Sequence, residues 1–73
     1  MDERFKIELA SPPDREKLVA NIFFGDDQWA ELNQENGVLS LELYARRDGQ
    51  FWQLSFDEVI EALAQSKRKL IGD

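Results

Sequence analysis

The chain contains neither cysteine nor histidine, which excludes several kinds of chemistry before any pattern is considered. Without cysteine there is no disulfide framework, an absence typical of a reducing compartment. Without either residue, the common transition-metal sites and the nucleophilic mechanisms that depend on them are excluded. No apolar run is long enough to cross a bilayer, and the charged start MDERFKIELA lacks the apolar segment of a signal peptide. We therefore expect a cytoplasmic protein that makes no membrane contact.

Positive charge is outnumbered by negative charge and is absent from the middle of the chain. The net charge of the 73 residues is −6, and no lysine or arginine lies between Lys17 and Arg46. Binding to a phosphate backbone depends on lysine and arginine, so we do not expect nucleic acid as a partner. The 42% hydrophobic and 33% charged residues are typical of a globular protein, and the length suits a single domain over residues 1–73.

Four turn motifs divide the chain into short segments with a period of two. The turn motifs are Ser11-Pro12-Pro13-Asp14, Gly25-Asp26-Asp27, Asn36-Gly37 and Asp48-Gly49. The segments between them predict strands at residues 5–9, 18–24, 28–34, 39–44 and 51–54. Because consecutive strands are joined by short turns, we predict an antiparallel meander of four or five strands.

The last segment changes from a period of two to helical spacing. Ser55 and Glu58 have the spacing of a capping box, and Gly72 is well placed to end a helix. The residues expected to cover the sheet are Phe56, Val59, Ile60, Leu63 and Leu70. The predicted fold class is α+β: a four- or five-stranded antiparallel meander sheet with one C-terminal helix packed on one face.

The Asn36-Gly37 pair is the preferred sequence for a two-residue type I′ turn, which would fix the register around it. On the outer side of this hairpin the predicted pairs are Glu35 with Val38, Asn33 with Ser40, Glu31 with Glu42 and Trp29 with Tyr44. On the core side they are Leu32 with Leu41 and Ala30 with Leu43. A three-residue loop at 25–27 places Phe23 beside Trp29, and a turn at 48–49 directs Trp52 and Leu54 to the core.

Two features distinguish the predicted outer face. Glu31 and Glu42 lie directly opposite each other, although like charges in that position destabilise a sheet. No lysine or arginine is near them in the sequence, so only the fold can bring a neutralising charge. Trp29, Tyr44 and Phe23 add a contiguous aromatic surface, which is less common than scattered aromatic residues and is typical of an interaction site.

We therefore predict a small acidic protein-binding module that uses Trp29, Tyr44, Glu31, Glu42 and Phe23 against a protein partner, with a basic partner favoured. On this hypothesis Trp29→Ala weakens binding and leaves the fold intact. One alternative is a structural homodimer that buries the same face. Another is a solvated face, whose aromatic residues pack across strands and whose acids provide solubility.

Catalysis is the remote alternative. Glu31 and Glu42 are of a residue type that performs general acid–base work, but a flat sheet face offers no concave, partly dry site. Asp26 and Asp27 beside Gly25 lack the acid spacing of an EF-hand, which favours a solvated turn over a calcium site. We therefore predict no enzymatic activity, no cofactor and no metal.

The residues Glu42-Leu43-Tyr44, Asp48-Gly49 and Trp52, with the capped helix at 56–70, together resemble small bacterial proteins of unassigned function. Such proteins often end in a strand–turn–tryptophan–helix unit. The resemblance covers the C-terminal half of the chain and implies a bacterial origin. Some small acidic bacterial proteins of this kind are immunity proteins that neutralise toxins, which adds an inhibitor of a basic partner to the alternatives.

Overall fold

The computed structural model describes residues 5–35 and 37–72, and it confirms the predicted α+β class. Within these residues, four strands form one sheet in the order β1-β2-β3-β4, and every neighbouring pair is antiparallel. The strands are β1 (Phe5–Ala10), β2 (Val19–Phe24), β3 (Asp27–Asn33) and β4 (Ser40–Leu43). The helix α1 (Phe56–Ile71) follows them and packs on β1 and β2.

The hairpin between β2 and β3 is tighter than the predicted three-residue loop. Phe24 pairs with Asp27, so Gly25 and Asp26 alone form the turn. Gly25 has a φ of 63°, and no non-glycine residue in the described ranges has a positive φ. A positive φ at the first central position alone defines a type II′ turn, which glycine adopts without strain.

A β-bulge at Trp29 follows this tight turn. Phe23 pairs with Gln28 and Ile22 pairs with Ala30, which leaves Trp29 as one extra residue in β3. An extra residue interrupts the alternation of faces, so Trp29 and Ala30 both turn to the side on which the helix lies. Beyond the bulge Ala20 pairs with Leu32, and both keep the inward orientation predicted for them.

The predicted exposure of Trp29 on the outer face is wrong. Its side chain belongs to the core cluster with Ile22 and Ala30, and the residue is 8% exposed. Its ring meets the Phe5 ring edge-on, with the centroids 5.7 Å apart. The bulge is the physical cause, because uninterrupted alternation would place Trp29 on the same side as Glu31. Trp29→Ala therefore removes core volume and is not a test of binding on the outer face.

The register between β3 and β4 is the predicted one. The pairs are Ala30 with Leu43, Glu31 with Glu42, Leu32 with Leu41 and Asn33 with Ser40. The connection is nevertheless longer than a two-residue turn, because pairing resumes only at Ser40 and the Gly37 N–H donates to the Gln34 carbonyl at 3.3 Å. The predicted pairing of Glu35 with Val38 is therefore wrong. Asn36, half of the predicted turn motif, lies outside the described residues.

The core lies between the sheet and the helix. Around Ile22, Trp29 and Ala30 it gathers the partly buried side chains of Phe5, Ile7, Phe24, Trp52, Leu54, Val59 and Leu63. Aromatic rings meet edge-on from Trp29 to Phe5, from Phe5 to Phe24 and from Phe24 to Trp52. Such contacts stabilise a core beyond the area they bury. The inward orientation predicted for Trp52 and Leu54 is thus confirmed.

The predicted fifth strand at residues 51–54 is wrong, because this stretch is irregular. Side-chain hydrogen bonds to main-chain carbonyl groups hold the segment in place instead. Trp52 Nε1 donates to the Tyr44 carbonyl at 2.7 Å, and the Arg46 guanidinium donates to the Phe51 carbonyl at 3.0 Å. The segment therefore closes on itself beside the sheet and does not extend it.

The helix begins and ends where its caps predict. The Ser55 hydroxyl accepts from the Glu58 N–H at 3.3 Å, and Gly72 ends the helix in the left-handed conformation with a φ of 78°. Within the described residues, no helix has the length and apolar character needed to span a membrane.

The face that the helix buries differs from the predicted one. Val59 and Leu63 pack on the core as predicted, but Phe56 is 75% exposed and Ile60 is 49% exposed. The small residues Ala62 and Ser66 are buried instead, and the Ser66 hydroxyl donates to the Ala62 carbonyl at 2.7 Å. Small side chains let the helix lie close to the sheet, which rotates the larger Phe56 and Ile60 to its flank.

We predict that Leu63→Ala lowers the free energy of unfolding by about 2–3 kcal/mol, the low end of the range for leucine truncation, because Leu63 is partly buried. Ile60→Ala is the matched control on the same helix, and its cost should be below about 1 kcal/mol because alanine has the better helix propensity and Ile60 is half-exposed. Urea denaturation measures both. Equal costs for the two variants would contradict this orientation of the helix.

Candidate functional site

The outer face of the sheet carries the paired carboxylates predicted from the register. Glu31 in β3 lies opposite Glu42 in β4. Glu31 is 7% exposed, and Asn33, two residues further along the same face of β3, is also buried. Buried polar side chains on an outer face require partners, because an unpaired buried charge is strongly destabilising.

Arg15 supplies the positive charge that the neighbouring sequence lacks. It lies in the connection between β1 and β2, where its N–H donates to the Pro12 carbonyl at 3.1 Å and closes a turn. Its Nη2 lies 3.0 Å from Glu31 Oε2 and 3.0 Å from Glu42 Oε2. One guanidinium thus bridges the two carboxylates. The hydrogen bond to Glu42 and the charges of the nearby glutamates raise the pKa of Arg15, which stays charged.

Asn33 and Tyr44 complete this set, which we call the Arg15 cluster: Arg15, Glu31, Asn33, Glu42 and Tyr44. Asn33 Nδ2 lies 3.3 Å from Glu31 Oε2 and 3.4 Å from Glu42 Oε2. The Tyr44 hydroxyl donates to Glu31 Oε1 at 3.3 Å. Both oxygens of Glu31 are therefore engaged. Burial raises the pKa of Tyr44 first, and the negative charge of Glu31 and the hydrogen bond to it raise it further.

The structure brings together three of the five residues predicted to bind a partner. Glu31, Glu42 and Tyr44 meet in the Arg15 cluster. Phe23 shares their face by alternation, but it is half-buried and pairs with Gln28 rather than with Trp29. Trp29 lies on the opposite side, as described above. The contiguous aromatic patch on which the binding hypothesis was based is therefore not formed on this face.

The Arg15 cluster holds charge in place. The facing oxygens of its two carboxylates already contact the Arg15 guanidinium and the Asn33 amide, which leaves them few free directions toward a substrate. General acid–base catalysis needs a carboxylate within hydrogen-bond reach of a substrate proton. Among the residues the structure describes, no three histidine, cysteine, aspartate or glutamate side chains come together so as to hold a metal ion.

A shallow cavity of about 240 Å³ lies at another place, beside the Trp52 ring. Its lining residues are Phe24, Gly25, Asp27, Arg46, Trp52, Gln53 and Leu54. The Arg46 guanidinium lies over the Trp52 ring at 5.8 Å, and Arg47 Nε lies 2.6 Å from Asp27 Oδ1. Ligand pockets usually measure about 300–1,000 Å³, and the two charged lining residues, Asp27 and Arg46, already form salt bridges with Arg47 and Asp48. We therefore do not place a ligand there.

An apolar row runs along β4 on the helix side of the sheet. Leu41 and Leu43 pair with Leu32 and Ala30, which face the core, but they are 40% and 65% exposed. Leu39, just before β4, is 41% exposed. We call Leu39, Leu41 and Leu43 the leucine row. Leu41 and Leu43 are predicted to lie on the core side under the helix, and that prediction is wrong because α1 packs on β1 and β2, the two strands furthest from β4.

The leucine row coincides with an open sheet edge. The Tyr44 N–H donates to the Trp29 carbonyl at 2.9 Å. Hydrogen-bonded pairs alternate along an antiparallel ladder, so Glu42 and Ser40 also direct their backbone groups at β3. The N–H and C=O groups of Leu41 and Leu43 consequently point away from the sheet. β4 thus presents apolar side chains together with unpaired backbone groups of the same residues.

Sequence reasoning missed Arg15 and the exposure of the leucine row. The position of Arg15 depends on the path of a loop, for which the Pro12-Pro13 turn was the available indication. The exposure could have been anticipated from the presence of one helix for four strands.

No protein-family model matches the sequence, and no curated protein or solved structure is significantly similar to it. The chain's own geometry is therefore the basis for its proposed function.

We predict that Arg15→Met lowers the free energy of unfolding, because buried Glu31 then lies beside Glu42 without a counter-charge. Urea denaturation measures the loss. Adding Glu42→Gln to Arg15→Met should restore part of the stability, because it removes one of the two repelling charges. Arg47→Met is the control: its salt bridge to Asp27 is 76% exposed on the arginine side, so its loss should cost at most about 1 kcal/mol. Equal losses for Arg15→Met and Arg47→Met would contradict the bridging role.

We also predict that Tyr44 titrates above the ordinary tyrosine pKa of about 10. Tyr44 is the single tyrosine of the chain, so phenolate absorbance reports on it alone. Glu31→Gln should lower the midpoint, whereas Glu61→Gln on the exposed side of α1 should not. Because folding raises the pKa of Tyr44, its protonated hydroxyl contributes its full stabilisation to the fold at pH values below the pKa of the unfolded state. That contribution is lost as the pH rises through the pKa of the folded state. An unshifted midpoint in the folded protein would contradict the contact.

Proposed function

We propose that this protein is a protein-interaction module whose binding element is the open edge of β4 with its leucine row. The observation that carries the proposal is that the same residues provide both exposed apolar side chains and an open backbone edge. Leu41 and Leu43 expose apolar side chains on one face and unpaired backbone groups at the edge. A partner segment that adds as a further strand to a sheet edge uses both features, since main-chain hydrogen bonds give affinity and alternate side chains give specificity.

The other edge of the sheet, β1, is protected, whereas the β4 edge is not. β1 carries Lys6 and Glu8 on its outer side, and the helix packs against the strand. Charged residues and a covering helix are common ways in which proteins block an edge strand. β4 has neither lysine nor proline, and its single charged residue, Glu42, is held by Arg15. Of the two edges, β4 is therefore the one open to a partner strand.

The outer face is the weaker candidate for binding. Glu31 is buried and fully engaged, and Trp29 contributes nothing there. Tyr44 is 36% exposed, and its hydroxyl is already donated to Glu31. An interaction hot spot usually offers a large aromatic anchor that a partner can enclose. This face offers less accessible apolar surface than the leucine row does.

A photo-crosslinking amino acid at position 41 tests the proposal. We expect it to form covalent protein adducts when the full-length protein is illuminated in lysate of its own cells, because a partner strand would lie directly against this residue. The same amino acid at position 9 is the matched control. Leu9 is 43% exposed, comparable to Leu41 at 40%, and it lies on β1 at the protected edge.

Two results would overturn the proposal. One is the absence of protein adducts from position 41. The other is the same set of adducts from positions 9 and 41, because exposed leucine alone would then explain them. Leu43→Lys, introduced together with the photo-crosslinker, should remove the adducts from position 41, since it places a charge in the proposed contact. Circular dichroism verifies that each variant remains folded.

A further inference from the structure

We infer that the partner at the β4 edge is a second copy of this chain, added antiparallel through its own β4. The inference rests on the proposed function, because it uses the same edge and names its occupant. Two antiparallel copies related by a two-fold axis perpendicular to the sheet would form one continuous eight-stranded sheet. Such an axis preserves faces, so both helices and both leucine rows lie on the same side.

The backbone restricts how the two edges can pair. Hydrogen bonds across the new junction need residues whose N–H and C=O groups point outward, which on β4 are Leu41 and Leu43 and, by continuation, Leu39. Outward residues must therefore lie opposite outward residues. The register with Leu41 opposite Leu41 of the second copy satisfies this and places Leu39 opposite Leu43. All three leucines of each copy are then paired in one apolar row.

The avoidance of like-charge contacts favours the same register. With Leu41 at the centre, Ser40 of one copy lies opposite Glu42 of the other, so no like charges face each other. The register shifted to bring Leu41 opposite Leu43 would place Glu42 opposite Glu42, which destabilises a sheet. The opposite shift leaves Leu43 unpaired. The sequence of β4 is thus complementary to itself in one arrangement.

The size of the chain also favours a second copy. A domain of 73 residues buries a limited fraction of its surface, and small domains often gain stability by oligomerisation. Self-pairing would bring together three of the exposed apolar side chains, those of the leucine row. Each copy carries a net charge of −6, so the two copies repel each other. Added salt should therefore strengthen self-association, whereas it would weaken binding to a basic partner.

The absence of cysteine from the chain allows a direct test by single-cysteine variants. In the inferred register, Leu41→Cys faces itself across a hydrogen-bonded pair, where the Cα atoms lie about 5.5 Å apart, within the disulfide range. We expect mild oxidation to convert most of it to covalent dimer. Leu43→Cys alone is separated from its own copy by four residues, about 13 Å along the strand, and should crosslink at least about tenfold less.

A mixture of Leu43→Cys with mass-tagged Leu39→Cys should yield mainly the mixed disulfide, because these positions face each other. Leu9→Cys is the control for crosslinking by exposure alone, and it should form little dimer. Sedimentation of the wild-type protein, which needs no substitution, should show a concentration-dependent dimer that strengthens with salt. Leu41→Lys should be monomeric under the same conditions.

Three results would overturn the inference. Crosslinking of Leu43→Cys with itself as efficient as that of Leu41→Cys would contradict the register. Efficient crosslinking of Leu9→Cys would show that exposure, not edge pairing, determines the products. A wild-type protein that stays monomeric at all accessible concentrations would exclude the second copy. In that last case, adducts from position 41 to a different protein would still support the proposed function, so the two failures can be told apart.

Discussion

Two consecutive residues of β3, Trp29 and Ala30, point to the same side of the sheet, and most of the structure depends on this bulge. It compensates for the two-residue turn at Gly25-Asp26, which is one residue shorter than a simple alternation of faces would need. Before the bulge, Gln28 faces outward. After it, Glu31 and Leu32 resume the alternation that gives the sheet one apolar and one polar side.

The polar side then depends on a charge that comes from far along the chain. Once the register places Glu31 opposite Glu42, the repulsion between them must be offset within the fold. Arg15 does so with a single Nη2 atom, and the Asn33 amide contacts the same two carboxylate oxygens. The β1–β2 connection is therefore held over the outer face by electrostatics. The protein's own guanidinium thus offsets one of the two negative charges on this face, which lessens its attraction for a basic partner.

Four of the five predicted strands, the helix caps and the β3–β4 register could be predicted because each depends on neighbours along the chain. Ser55 accepts from the Glu58 N–H, and Gly72 adopts a left-handed conformation, as local rules require. Trp29 could not be placed in this way, because a three-residue loop and a two-residue turn with a bulge satisfy the same alternation of residues. Arg15 could not be placed either, because no periodicity describes the path of a connection across a sheet.

One helix cannot cover a four-stranded sheet. A helix with its side chains is about 10–12 Å wide and strands lie about 4.8 Å apart, so a helix covers about two strands. α1 covers β1 and β2, and Trp52 and Leu54 pack beside it. The leucines of β4 remain outside. Slipping β4 by one residue would turn Leu41 to the other face, but it would also move Glu42 away from Arg15. The exposed leucine row and the carboxylate pair bridged by Arg15 are thus two consequences of one register, and the fold cannot lose the first while it keeps the second.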